Sequence, residues 1–203
     1  MARGPIYKVA FKRRRQGKTN YGLRRKIVRS KMPRLVVRGS LSHIVTQLVE
    51  ARPEGDKTLL VAHSKELTKN FNWNAPCGNI PAAYLTGLIL GNKALSFGID
   101  HTILDIGLQK PSIGARVFAV LKGALDAGLD IPCDKAVLPD ESRVRGEHIA
   151  SYAKNLVETD QRIYEKMFSK YLKKDLKPEK ISEHFDQINK NILEFFKKGE
   201  TND

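Results

Sequence analysis

The residues with the clearest binding chemistry are cations near the start of the sequence. Residues 11–26 read FKRRRQGKTNYGLRRK and contain eight Lys or Arg side chains, two aromatic side chains and no acid. A guanidinium group offers a planar fork of N–H donors to phosphate oxygens, and aromatic rings can stack on unpaired bases or pack on sugars. The segment therefore predicts a surface that binds a nucleic acid.

The net charge of +14 is concentrated in the same part of the sequence. Residues 1–38 hold 14 of the 36 Lys and Arg and no Asp or Glu, whereas residues 39–203 hold 22 Lys or Arg and all 22 acids. A nuclear-localisation tag would explain only a short run of these cations, and a solvated face would be expected to spread its charge. Because no helix-turn-helix or basic-zipper pattern is present, the segregated charge favours folded RNA over DNA.

Catalytic residues are the other possible source of chemistry, and the sequence offers few. It contains no GxGxxG after a strand, no phosphate-binding loop, no GxSxG turn and no HxxxH pair, and Cys77 and Cys133 do not form a CxxC motif. Asp105 is the one acid inside a predicted strand, whereas a two-metal nuclease needs several carboxylates at neighbouring strand ends. We expect Asp105 to be a structural acceptor or the partner of an arginine, and we predict no catalytic residue, no metal and no cofactor.

The elements that must position the cations begin with an extension over residues 1–33. Thr19 or Asn20 can cap a short helix from about Tyr21 to Ser30, and Pro33 ends it. No stretch reaches the roughly 18 apolar residues of a membrane span, and the first residues lack the apolar core of a signal peptide. We therefore expect a soluble intracellular protein in a reducing compartment.

The extension is followed by a predicted α/β domain over residues 34–135. Three strands, at 33–39, 43–50 and 58–64, are separated by short turns and predict an antiparallel meander. A loop at 68–79 leads to a helix at 80–98, a strand at 101–108 and, within 113–132, a helix that ends at Gly128, which together predict a mixed sheet. In the first strand Arg34, Val36 and Arg38 alternate with Leu35 and Val37.

Four polar or aromatic residues of this domain allow two interpretations each. His43 and Gln47 lie on the same face of a predicted strand, either as a polar stripe in solvent or as an extension of the Arg34 and Arg38 surface. Phe71 and Trp73 either stack on bases or are tucked under their loop. Residues 136–203 form predicted helices, at 147–172 and after Pro178, whose apolar stripes either dock on the sheet domain or bind a separate partner.

Several segments resemble one family closely. They are GPIYKVAFKRRRQGKTNYGLRRK, PRLVVRGSLSHIVTQLV, IPAAYLTGLILGNKAL, ILDIGLQKPSIGARVFAVLKGALDAGLDIP and RVRGEHI, spread over about residues 3–150. Their sequence is similar to archaeal members of the universal ribosomal protein family eighteen of the large subunit, which binds 5S rRNA. The resemblance is weaker over the C-terminal helices.

This resemblance implies an RNase-H-like α/β fold without nuclease activity, flanked by helices. It implies a cytoplasmic protein of the large ribosomal subunit that attaches 5S rRNA to 23S rRNA in the central protuberance and touches neighbouring large-subunit proteins. No membrane, DNA or homo-oligomeric partner is implied. A non-ribosomal RNA chaperone and a metal-dependent RNA nuclease on the same fold are the alternative functions.

The residues predicted to bind RNA combine the basic block with positions that match the family. Those in the arm that match are Arg13, Arg14, Arg15, Lys18, Tyr21, Arg24 and Arg25. Those in the strand pair beside 5S rRNA are Arg34, Arg38, Ser40, His43 and Gln47. The basic block adds Arg3, Tyr7, Lys8, Lys12, Lys26 and Arg29.

Overall fold

The computed structural model describes residues 4–200, and the side chains of residues 4–197. Four strands form its sheet: β1 (Arg34–Gly39), β2 (Ile44–Arg52), β3 (Gly55–His63) and β4 (Ile103–Asp105). The helices are α1 (Lys12–Arg15), α2 (Tyr21–Val28), α3 (Ser64–Asn70), α4 (Ile80–Ser96), α5 (Arg116–Asp126), α6 (Glu141–Arg145), α7 (Glu147–Thr159), α8 (Gln161–Met167), α9 (Ser169–Leu172) and α10 (Ile181–Glu200).

The sheet is mixed, as the sequence predicts. Its strand order is β3-β2-β1-β4, with β1, β2 and β3 antiparallel and β4 parallel to β1. In β1, Leu35 and Val37 belong to the hydrophobic core, whereas Arg34, Val36 and Arg38 lie on the opposite face. The predicted α/β architecture of a mixed sheet flanked by helices is therefore confirmed.

Helices α4 and α5 cover the core face of the sheet. Pro81 lies in the first turn of α4, where its missing N–H costs no hydrogen bond, and Asn79 caps the helix through its side chain. The two helices approach closely because they meet at glycines. A Cβ on Gly87 would lie 2.1 Å from the carbonyl oxygen of Val120, and one on Gly123 would lie 2.1 Å from the carbonyl oxygen of Tyr84.

The C-terminal helices dock on the same core. Ile181, Ile188 and Ile192 of α10 are at most 2% exposed, and the ring centroid of Phe185 lies 5.6 Å from that of Tyr84 in α4. The interpretation that the apolar stripes dock on the sheet domain is therefore confirmed for α10. In the predicted helix at 147–172 it holds for Ala153, Leu156 and Tyr171, whereas Ile163 and Met167 are 45% and 59% exposed. No helix within residues 4–200 combines the length and the apolar composition needed to cross a bilayer.

Two predicted elements are wrong in extent because of side-chain bonds within loops. The helix predicted at 147–172 is divided into α7, α8 and α9: Asp160 adopts an extended backbone and its carboxylate accepts bonds from the amides of Arg162 and Ile163, so a new helix starts there. The strand predicted at 101–108 keeps only three residues. Beyond it, the side chain of Gln109 donates to the carbonyl of Val37 over 2.8 Å, in place of a backbone ladder.

Two other boundaries also differ. The loop predicted at 68–79 begins inside α3, whose N-terminus is capped reciprocally by His63 and Glu66. Histidine is not among the usual capping residues, which explains why the helix was missed. Helix α5 starts three residues later than predicted, because Gly114 adopts a left-handed backbone conformation (φ +68°) just before it. Its predicted end at Gly128 agrees with the structure, where Gly128 (φ +110°) directly follows the C-cap residue Ala127.

Candidate nucleic-acid interface

The N-terminal arm (residues 4–33) presents most of its cations to solvent. Asn20 begins α2 by accepting a bond from the amide of Leu23, as one of the two predicted caps. Arg13 donates to the hydroxyl of Thr19 over 2.9 Å, and the ring of Phe11 lies 5.1 Å from that of Tyr21. These contacts join the two short helices of the arm, so its cations are held along one compact segment.

An ion-pair network fixes α2 to the sheet. Arg24 donates two bonds to the carboxylate of Asp56, of 2.8 and 2.7 Å. Arg34 lies between two acids, 2.8 Å from Asp56 and 2.7 Å from Asp105, and its side chain is only 3% exposed. The interpretation of Asp105 as the partner of an arginine is confirmed.

The same network sets the charge state of its members. The hydrogen bond from Arg24 lowers the pKa of Asp56, although burial acts in the opposite direction. That hydrogen bond also raises the pKa of Arg24. The Nη2 atom of Arg34 lies within ion-pair distance of the Asp56 carboxylate, but its orientation does not allow a hydrogen bond. The contact is therefore an electrostatic attraction. Both acids of the network thus hold guanidinium groups.

Between α2 and the outer face of the sheet lies a cleft of about 810 Å³. Arm residues, the outer face of β1 and β2, and the segment after β4 form its walls. Its cationic and polar lining includes Arg13, Lys18, Arg38, Gln47 and Gln109. The cleft therefore brings cations of the arm together with two of the predicted residues on the strands.

The turn between β1 and β2 continues this surface. Ser40 closes the turn by exchanging bonds with the backbone of His43. Arg116 of α5 donates to the carbonyls of Ser40 and Gly78, over 2.7 and 2.9 Å, and so ties the turn to the loop before α4. His43 stands one residue before β2, with its Nδ1 3.3 Å from the hydroxyl of Ser64.

The predicted RNA-binding residues thus fall into distinct environments. Arg34 is buried and Arg24 is bonded to Asp56, so both serve the placement of α2. Arg3 lies outside the described residues. The exposed members of the predicted set are Tyr7, Lys8, Lys12, Arg13, Arg14, Arg15, Lys18, Arg25, Lys26, Arg29, Arg38 and Ser40, and the partly exposed ones are Tyr21, His43 and Gln47.

The aromatic residues of the loop before α4 are not available to bases. Trp73 is fully buried and stacks on His184 of α10, with 5.0 Å between the ring centroids. Phe71 is 6% exposed and meets Phe195 edge-on. The interpretation that both are tucked under the loop is confirmed.

Sequence reasoning missed three residues that organise the interface. Asp56 lies within the predicted turn between the second and third strands, Gln109 lies after β4, and Arg116 starts α5; each contacts a residue distant in sequence. No local pattern identified Asp56 as the partner of an arginine. Among the described residues there is no group of three His, Cys, Asp or Glu side chains arranged to hold a metal.

Comparisons with known proteins identify relatives over nearly the whole chain. Residues 6–102 and 98–134 match the family model described as ribosomal large subunit proteins 60S L5 and 50S L18. The chain is also 50% identical to large ribosomal subunit protein uL18 of Staphylothermus marinus over 197 residues, which cover 97% of this chain and 98% of that protein.

Proposed function

Because the chain belongs to the family of ribosomal large-subunit proteins 60S L5 and 50S L18, we propose that it binds 5S rRNA and attaches it to 23S rRNA in the central protuberance. Members of this family are structural constituents of the ribosome in the cytoplasm rather than enzymes, so the chain is a structural large-subunit protein with rRNA and ribosomal proteins as partners. The finer assignment, to 5S rRNA and its seat on 23S rRNA, is our proposal.

The observation that carries it is the set of exposed arm cations without acid partners. Among the side chains of residues 4–197, Asp or Glu pairs with only two cations of the first 38 residues, Arg24 and Arg34. The remaining described cations of the arm are free to neutralise phosphates. Neutralising phosphates releases counterions from RNA and supplies much of the binding free energy.

The two paired arginines have a different role from the exposed cations. Arg24 and Arg34 hold α2 on the sheet through Asp56 and Asp105, and so they position the arm. Arg25, Lys26 and Arg29, all exposed, then extend from a fixed helix toward RNA. In this proposal, residues 1–33 anchor the protein to RNA, and residues 34–135 form the domain that positions it on RNA. Residues 136–203 form the C-terminal helices, which dock on that domain.

The test uses the intact chain with exposed cations neutralised. In the arm variant, Arg14, Arg15 and Lys18 are replaced with Gln; in the control variant, Lys135, Lys190 and Lys197 are replaced, which removes the same charge from exposed positions outside the arm. Filter retention of 5S rRNA is measured over roughly 50 to 200 mM salt. Each lost phosphate contact should reduce the slope of log affinity against log salt by about 0.7 to 0.9, so we expect a decrease of about 2 to 3 for the three cations removed in the arm variant.

Two outcomes would count against the proposal. An arm variant with the affinity and the salt slope of the control would show that the arm does not bind 5S rRNA. Equal affinity of the unmodified protein for 5S rRNA and for an unrelated structured RNA of the same length would favour a general RNA chaperone instead.

A further inference from the structure

Helices α8 and α9 form one nearly continuous helical segment whose inner face is fixed by aromatic rings. Tyr164, Phe168 and Tyr171 are spaced by four and three residues, are 6 to 7% exposed, and contact one another in sequence order at ring distances of 5.3 and 5.6 Å. Tyr164 donates to Glu179, and burial together with this bond raises its pKa to about 12. The orientation of the segment on the body is therefore well defined.

The opposite face of this segment carries a row of cations, with the exposed side chain of Ile163 at its edge. Arg162, Lys166, Lys170 and Lys173, which we call the C-terminal basic stripe, follow one another by four, four and three residues and are all exposed. Lys173 lies directly after α9 and keeps a helical backbone. At 3.6 residues per turn and 1.5 Å per residue, the stripe covers an arc of about 80° and a length of about 16 Å.

No acid compensates the stripe. None of the ion pairs formed among the side chains of residues 4–197 includes one of its four cations. The nearest acid in sequence, Glu165, lies to the side and accepts a bond from Gln161. By contrast, the outward face of α10 mixes both signs, as solvated faces usually do: it carries Glu183, Lys190, Glu194 and Lys197.

The stripe adjoins the turn between β1 and β2. The hydroxyl of Tyr171 accepts a hydrogen bond of 3.3 Å from the side chain of Asn79. The neighbouring residue, Gly78, accepts a hydrogen bond from Arg116, which also bonds to the turn. The pKa of the His43 imidazole is lowered, first by burial and then by nearby charges. Those charges belong to His63, Lys65 and Lys170. Lys170 of the stripe therefore lies near the turn between β1 and β2, and Arg38 and Gly39 at the start of that turn line the cleft under the arm.

We propose that the C-terminal basic stripe is a second surface for the RNA phosphodiester backbone, which holds rRNA together with the arm on either side of the turn between β1 and β2. This inference rests on the proposed function. An unpaired row of flexible ammonium groups suits phosphates, which need charge but little geometric specificity. An acidic protein is the other polyanion that fits the charge, but the position of Lys170 near the turn beside the cleft under the arm favours RNA.

The experiment compares three variants of the intact chain with the unmodified protein. The stripe variant replaces Lys166, Lys170 and Lys173 with Gln, and the arm and control variants are those described above. Binding to 5S rRNA, and separately to 23S rRNA, is followed by filter retention over the same salt range. Loss of three phosphate contacts should lower the salt slope by about 2 to 3 on at least one of the two RNAs, while the control variant keeps the slope of the unmodified protein.

The possible results separate the two hypotheses. If the arm variant loses 5S binding but the stripe variant matches the control on both RNAs, the second surface is refuted and the proposed function stands. If the unmodified protein binds neither RNA, both fail. If the stripe variant keeps both slopes but loses a crosslink to a ribosomal protein in reconstituted subunits, the stripe binds protein, which also refutes the inference. Thermal melts confirm that each variant is folded.

Discussion

Replacing Asp56 with Asn separates the positioning of the arm from its charge. The side chains have nearly the same shape, but Asn loses the carboxylate that holds both Arg24 and Arg34. The change raises the formal net charge from +14 to +15. If charge alone governed RNA binding, this substitution would strengthen it, whereas loss of α2 docking should weaken it.

The magnitude follows from the exposure of the partners. The side chains of Arg24 and Asp56 are 37% and 32% exposed, so after solvent screening their bidentate pair contributes at most about 1 kcal/mol. Arg34 is buried, and breaking a buried pair costs about 3 to 5 kcal/mol, but Asp105 remains as its partner and water reaches Asp56. We therefore expect a loss of about 2 kcal/mol in the free energy of unfolding.

The effect on RNA binding depends on how much of this loss in free energy weakens the docking of α2 on the sheet. A loss of about 1 kcal/mol in docking lowers the docking equilibrium constant about fivefold, which sets the upper limit for the loss of affinity for 5S rRNA if docking is needed for binding. The gain from one added charge is smaller, because exposed charges more than about 8 Å apart are largely screened at physiological salt. We expect the Asp56→Asn variant to bind 5S rRNA more weakly than the unmodified protein, by up to about fivefold.

The assay combines filter retention of 5S rRNA with hydrogen exchange of the α2 amides. Glu54→Gln is the matched control, because Glu54 is exposed two residues away, makes the same charge change, and takes part in no ion pair among the described side chains. We expect faster exchange in α2 for Asp56→Asn and unchanged exchange for Glu54→Gln. Equal or tighter RNA binding by Asp56→Asn, with α2 exchange as slow as in the unmodified protein, would refute the role of the network.

Two further predictions concern the stability of the body. Gly123→Ala should lower the free energy of unfolding by about 1 to 3 kcal/mol or more, because the added Cβ would clash with the backbone of α4. Gly22→Ala in the exposed α2 is the control and should be neutral or slightly stabilising. Denaturant melts of both variants test this prediction. The second concerns His184, whose Nε2 accepts a bond from the amide of Asn74 and whose pKa is lowered by burial. Because the folded state favours the neutral ring, its contribution should be full above about pH 6.5 and decline as the pH falls below that value. The melting temperature of the unmodified protein should therefore approach that of His184→Phe between about pH 7 and 5; a constant difference would show that His184 does not titrate in this way.

Much of the body follows from short-range patterns in the sequence. The alternation of β1 is sufficient to place Leu35 and Val37 in the core, because successive side chains of a strand point to opposite faces. The start of α4 was also predictable, since proline in the first turn is a local signal. Asp105 was predicted to be either a structural acceptor or the partner of an arginine, because an isolated acid within a strand needs a compensating contact.

What the sequence did not reveal depends on contacts between distant segments. Asp56 gave no sign that it would hold an arginine 32 residues earlier in the chain. The division of the predicted helix at 147–172 rests on one side chain, Asp160, whose capping competes with continued helix. Likewise, the type of residue alone allows Trp73 either to stack on bases or to be buried under its loop. The choice depends on α10, which docks and places His184 on the indole ring.

The formal neutrality of residues 39–203 hides a separation of charge that only the fold produces. Several acids of this part are used by internal groups: Asp126 accepts from Tyr84, Glu179 accepts from Tyr164, and Asp105 holds Arg34. Acids bound in this way cannot compensate cations on another face, because screening limits exposed charges to neighbours within about 8 Å. A summed charge of zero is therefore compatible with an uncompensated basic face, and the C-terminal basic stripe is one.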